Sequence, residues 1–186
     1  MDGTLTIGVH DFQAIRRELD IPSDSDILHH LDTLPSEERR AKHAWLMAHE
    51  RELAMRSTPA AGALTLIREL CARHCQLGIL TRNARELAYI TLEVIGLDDC
   101  FAREDVLGRD EAPPKPHPGG LEHFTRRWDV PPSDMIMVGD SPLDLECGRA
   151  AGARTMLINT PENQWPELTD WHMTDCDALL KALHRS

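Results

Sequence analysis

Residues 138–152 read VGDSPLDLECGRAAG, and the fold follows from how this stretch is parsed. The run before it, Met135 to Val138, is apolar and short, as a buried strand is. Gly139 and Asp140 then end the apolar run. Ser141 has the chemistry of an N-cap, Pro142 suits the first helical position, and Asp144 completes a capping box three residues after the serine. The pattern predicts a helix that stops at Gly152. A strand, a polar turn and a helix in fifteen residues is half of a βαβ unit. Asp140 and Asp144 bring two carboxylates near one point, the hard oxygen chemistry that Mg²⁺ prefers. Local capping alone accounts equally well for Ser141 and Asp144.

The same alternation runs through the chain from Thr58 onward. AAGALTLIRELCARH predicts an amphipathic helix, with Thr58 as N-cap and Pro59 at the first position. CQLGIL predicts a strand, and NARELAYITLEVIGL a helix opened by an Asn83/Glu86 capping box. EDVLG reads as a short strand, HPGGLEHFTRRWDV as a helix and RTMLIN as another strand. The tail after residue 159 reads as loop with a terminal helix. Alternating strands and helices imply an α/β fold with a Rossmann-like parallel sheet flanked by helices. Residues 11–56 differ: they show helical spacing only, with Ser36 as the expected N-cap of a long helix. This sets an all-helical stretch, 11–56, apart from residues 1–10 and 57–186.

Parallel sheets bind ligands beyond the carboxyl ends of their strands. Thr81, Arg82 and Asn83 follow one strand and open a helix, a natural anion site. Lys115 sits between Pro114 and Pro116, which stiffen its backbone. Asp2-Gly3-Thr4 forms a turn at the start of the chain. Each residue taken singly has a structural explanation, as a strand end, cap or solvated loop; their order along the chain carries the weight.

In that order stand DGTLT, GILTRN, KPHP and VGDSPLDLECGRAAG. Over residues 1 to 160 the chain resembles the haloacid dehalogenase superfamily in its phosphatase branch, which implies a core from 1–10 and 57–186 with a small all-helical cap over 11–56. The resemblance implies Mg²⁺-dependent hydrolysis of a small-molecule phosphate monoester through an aspartyl phosphate. Asp2 would be the general acid/base and reach Mg²⁺ through its carbonyl. Thr81 would hold phosphoryl oxygens, with Arg82 and Asn83 beside it. Lys115 would neutralise charge, Asp140 would ligate Mg²⁺, and Asp144 would support or join the metal shell. The second aspartate of the first motif, here Asp2, favours phosphate esters over halides. The first aspartate, the nucleophile, would fall immediately before Met1, at the end of a buried strand. The expectation is therefore a start assigned too late within Asp-Met-Asp. The alternatives are a non-catalytic domain that binds a phosphorylated ligand or a protein, and a phosphosugar mutase, which usually has a larger cap.

Acids outnumber bases, 31 to 20, for a formal charge of −11, which disfavours nucleic acid and anionic membranes as partners. Five cysteines without a CxxC pattern, and no apolar run of membrane-spanning length, imply a reduced, cytoplasmic protein, and a monomer or homodimer is expected. Cap-side candidates for substrate contact are His10, Arg39, Arg40, Lys42, His43 and His49, although EERRAKHAWLMAHERE also reads as a solvated helix face. The four tryptophans, Trp45, Trp128, Trp165 and Trp171, read as core or interface rather than ligand platforms.

Overall fold

The computed structural model describes residues 1–185; Ser186, the last residue of the expected core segment, lies outside the described residues. Three helices, α1 (Phe12–Glu18), α2 (Ile27–Asp32) and α3 (Ser36–Met55), occupy the purely helical stretch. Asp11 and Asp26 cap α1 and α2 by accepting from Ala14 N and His29 N. Ile15, Leu19, Ile21, Leu31 and Leu46 bury a separate small core there, with Trp45 packed against it. Pro35, not Ser36, is the N-cap residue of α3, and it makes no side-chain cap bond.

Helices and strands then alternate: α4 (Ala63–Ala72), β1 (Ile79–Leu80), α5 (Arg85–Ile95), β2 (Val106–Leu107), α6 (Gly119–Trp128), β3 (Ile136–Gly139), α7 (Pro142–Ala151), β4 (Arg154–Ile158), β5 (Trp171–Met173) and α8 (Cys176–Leu183). All strand pairs are parallel, in two ladders: β1 with β2, and β3–β4–β5. Ile79 faces Val106, and Val138 faces Met156. Strand β5 lies in the tail that was expected to be loop. Its burial hides the alternation: Trp171, its first residue, is exposed and stacks under Arg154, and the next two are half-buried.

Two other expectations change. Helix α4 begins at Ala63 behind Gly62, not at Pro59. Residues 58–60 are instead drawn into pairing with the start of the chain: Ile7 N–H donates to Thr58 O, and Ala60 N–H to Leu5 O. Helix α5 has no Asn83/Glu86 box; Ala84 is its N-cap, and the Asn83 N–H turns back to Thr81 Oγ1. The expected box at Ser141/Asp144, with Pro142 first and Gly152 left-handed at the end, is formed in full.

The main core packs Leu5, Ile67, Ile79, Leu92, Leu97 and Val106 on one side, and Leu80, Leu121, Phe124 and Met137 on the other. Trp128 stacks on Phe124 at 4.8 Å and donates to Asp105. Helix α3 packs on α5, which seats the three-helix unit against the sheet-bearing part. No helix among the described residues is long and apolar enough to cross a membrane.

Candidate active site

The turn Asp2–Thr6 is wound around one acceptor. The N–H groups of Thr4, Leu5 and Thr6 all point at Met1 O, at 3.2, 2.8 and 3.2 Å. Asn159, directly after β4 and left-handed at φ 59°, donates its side-chain amide to Gly3 O and Thr4 O at 3.0 and 2.7 Å. Gly3 is required where it stands. Its φ is +76°, and a Cβ there would lie 2.2 Å from Asp140 Oδ2. The turn is thus pressed onto the end of β3, where Thr4 Oγ1 donates to Asp140 Oδ1 at 2.7 Å.

Asp2 leans the other way. Its Oδ1 accepts from Thr6 Oγ1 at 3.3 Å, its Oδ2 from Val9 N at 3.4 Å, and His10 Nε2 stands 3.8 Å from Oδ2. Burial pushes the His10 imidazole below its usual range, against the pull of the Asp2 charge. A cavity of about 20 Å³ opens here, lined by Asp2, His10, Glu50, Thr81 and Asn83 among others. That is room for a water, which needs roughly 10–15 Å³. Thr81 is buried at the end of β1, its own N–H bonded to Leu107 O at 3.0 Å. Its Oγ1 accepts from Asn83 N at 3.1 Å, and the hydroxyl proton remains to be donated.

Lys115 and Asp144 form a buried ion pair, 9% and 5% exposed. Asp144 Oδ2 accepts from Ser141 N and Oγ at 3.2 and 2.6 Å. Burial acts to raise the Asp144 pKa, but the Lys115 charge and these hydrogen bonds hold it below the usual carboxylate range. Both oxygens of Asp144 are therefore committed to protein partners, so it fastens Lys115 and caps α7. Asp140 is the opposite case. Burial, with the Asp144 charge adding to it, pushes its carboxyl up, although Thr4 and Asp140's own backbone N–H hold it down. Lys115 is paired with Asp144, a Cβ on Gly139 would lie 2.2 Å from Asp144 Cγ, and the Asp2–Thr6 turn presses on Asp140, so these groups meet at one point, the end of β3.

Arg82 turns away from that point. Its guanidinium pairs with Asp26 of α2 and lines a groove of about 850 Å³ between the helical unit and the sheet-bearing part. Of the other candidates, His43 faces the same groove and Asp32. Arg39 and Lys42 are tied to Asp32 O and Glu38, His49 stacks on Trp45, and Arg40 is exposed.

Three contributors escaped the reading from sequence. Asn159 had a legible signal, since it directly follows a strand. Glu50 had one too: Leu46, Glu50 and Ala54 are the buried residues of α3, one acid inside an i, i+4 apolar row. Arg109, its partner, had none.

Among the described residues, no three His, Cys, Asp or Glu side chains converge as a metal cage. Mg²⁺ needs less, because it keeps several waters and binds through one or two carboxylates. Asp140 fits that demand, being a half-buried carboxylate whose neighbour Asp144 is also negative and whose charge a cation would offset.

Polar turns gathered at the carboxyl ends of parallel strands, beneath an inserted helical unit, define an α/β enzyme core of the doubly wound type. The chain belongs to the haloacid dehalogenase-like hydrolase family, whose model matches residues 13–158. It is 31% identical over 182 residues to a haloacid dehalogenase-like hydrolase domain-containing protein of Arabidopsis thaliana, covering 90% of this chain and 71% of the relative. It is 29% identical over 175 residues to the phosphoglycolate phosphatase of Nitrosospira multiformis, covering 94% and 70%. The crystal structure of a hydrolase from Pseudomonas syringae shares the fold, with a TM-score of 0.77 at 20% identity over 99% of this chain and 95% of that one.

Proposed function

We propose that the chain hydrolyses a small-molecule phosphate monoester in the cytoplasm with Mg²⁺ bound at Asp140, by way of an aspartyl phosphate. The observation that carries this reading is that Lys115 pairs with Asp144, Thr4 of the Asp2 turn bonds Asp140, and Thr81 lines one cavity with Asp2. Phosphoryl transfer is mostly positioning and charge neutralisation, and these residues supply both.

Thr81 Oγ1 and the N–H groups opening α5 hold phosphoryl oxygens. Lys115, kept in place by Asp144, offsets their charge. Asp2 gives its proton to the leaving oxygen and later takes one from the attacking water, steadied by Thr6 and the Val9 N–H. Asp140 and the Asp2 carbonyl would hold Mg²⁺, which supplies charge neutralisation at the phosphate. The phosphoglycolate phosphatases among the relatives make phosphoglycolate the first ester to try.

The test is a phosphate-release assay with p-nitrophenyl phosphate and phosphoglycolate, with and without Mg²⁺. It is run on the chain and on the same chain extended at its N-terminus by any in-frame upstream codons. Mg²⁺-dependent turnover that disappears in Asp2→Asn supports the reading. Silence in both forms overturns it in favour of a non-catalytic ligand-binding domain.

A further inference from the structure

Arg109 is fastened at both ends to different parts of the molecule. Its Nη1 donates to Glu50 Oε1 and Oε2 on α3 at 3.2 and 3.1 Å, and its Nη2 lies 2.8 Å from Met47 Sδ on the same helix. Its backbone N–H donates to Asn83 O at 3.0 Å. The Asn83 N–H in turn donates to Thr81 Oγ1 at 3.1 Å. A continuous chain of bonded groups therefore runs from the inserted helical unit to the loop that follows β1.

This ion pair differs from the others that cross the same boundary. Glu50 and Arg109 are 8% and 11% exposed. The Arg51–Glu86 pair is 48% and 56% exposed, and Arg82–Asp26 34% and 42%. Exposed pairs contribute little to holding two units together, whereas breaking a desolvated pair leaves a buried charge alone. The main chain beside Arg109 has no slack either. A Cβ on Gly108 would lie 2.4 Å from Arg85 N and 2.8 Å from Asn83 O. Gly108 and Arg109 thus lie directly against residues 83–85.

We propose that Arg109 is a positioning residue that couples the seating of α3 to the shape of the Thr81–Asn83 loop, with Glu50 as its anchor. Its consequence for ligand affinity rests on the reading of that loop as the phosphate holder; the coupling does not.

The experiment is backbone amide hydrogen exchange on the full chain and its variants, with inorganic phosphate affinity measured by calorimetry in parallel. Glu50→Gln keeps the shape and removes the charge. Exchange is expected to rise about tenfold both in α3 and at residues 81–85, with phosphate binding weakened by a similar factor. The paired replacement of Glu50 and Arg109 by Met leaves no buried charge, and is expected to return both segments towards wild-type protection. If α3 loosens while residues 81–85 exchange as in the wild type, the pair only docks the helices and the proposal is overturned. If Glu50→Gln does not fold, Arg109→Lys, which loses the fork but not the charge, is read against the same two outcomes. If the wild-type chain binds no phosphate while Glu50→Gln still shows the joint change in exchange, the phosphate reading falls and the coupling stands.

Discussion

Thr4 Oγ1 donates to Asp140 Oδ1 at 2.7 Å across 136 positions of sequence. This bond joins the turn at the start of the chain to the end of β3, and it is the main compensation the protein's side chains give Asp140 for its burial. An ionised carboxylate in that position is held at a cost in stability, as binding sites often are.

That cost is measurable. Burial raises the folded pKa of Asp140, so ionising it in the folded state opposes folding above the ordinary carboxylate pKa. Asp140→Asn is expected to raise stability at pH 7 by about 1 kcal/mol in urea titration, while removing any Mg²⁺-dependent activity. A variant that is less stable than wild type at pH 7 contradicts this account.

Asp144 has the opposite sign. Its folded pKa is depressed, so it contributes stability above its unfolded pKa, and this is lost as pH falls through the folded value. Asp144→Asn leaves Lys115 buried without its counter-charge, and an expected loss of about 3–5 kcal/mol at pH 7 follows. The gap between variant and wild type should narrow in denaturation curves taken at successively lower pH, below about pH 4.

Gly3→Ala tests the close approach of the first turn. The added methyl meets the Asp140 carboxylate and the backbone sits at φ +76°, so a loss of about 1–3 kcal/mol in thermal or urea unfolding is expected. Phosphate-releasing activity should fall with it, because the carboxylate must move.

Asn159→Leu removes the amide that Gly3 O and Thr4 O share. Two inward-facing carbonyls then lack partners, and a loss of about 1–3 kcal/mol is expected. Asn159→Asp, which cannot donate to them, should be no better. A stability equal to wild type for either variant would show that water replaces the amide without penalty.

Much of the fold was legible because its signals are local. The periodicity of residues 12–55 and the alternation after Thr58 report side-chain patterning that each segment carries by itself. The Ser141/Asp144 box forms because its partners are three residues apart. Asn83 illustrates the limit: it has the chemistry of a cap and a Glu three positions on, yet its N–H goes to Thr81 Oγ1 and its carbonyl to Arg109. A strand end two residues back offered the nearer acceptor. Thr58 and Pro59 failed as a helix start for a similar reason, since pairing with residues 5–7 claimed their backbone first.

The sequence by itself determined the family, the α/β alternation and the residue types of the site, since motif order and hydrophobic period are properties of neighbours along the chain. Only the tertiary structure decided which charge meets which. Asp144 belongs to Lys115, Asp140 to Thr4, Arg82 to Asp26 and Glu50 to Arg109 because folding brings distant groups to within a few ångströms. At that range, and out of water, a buried charge requires a particular partner, and no spacing along the chain specifies it.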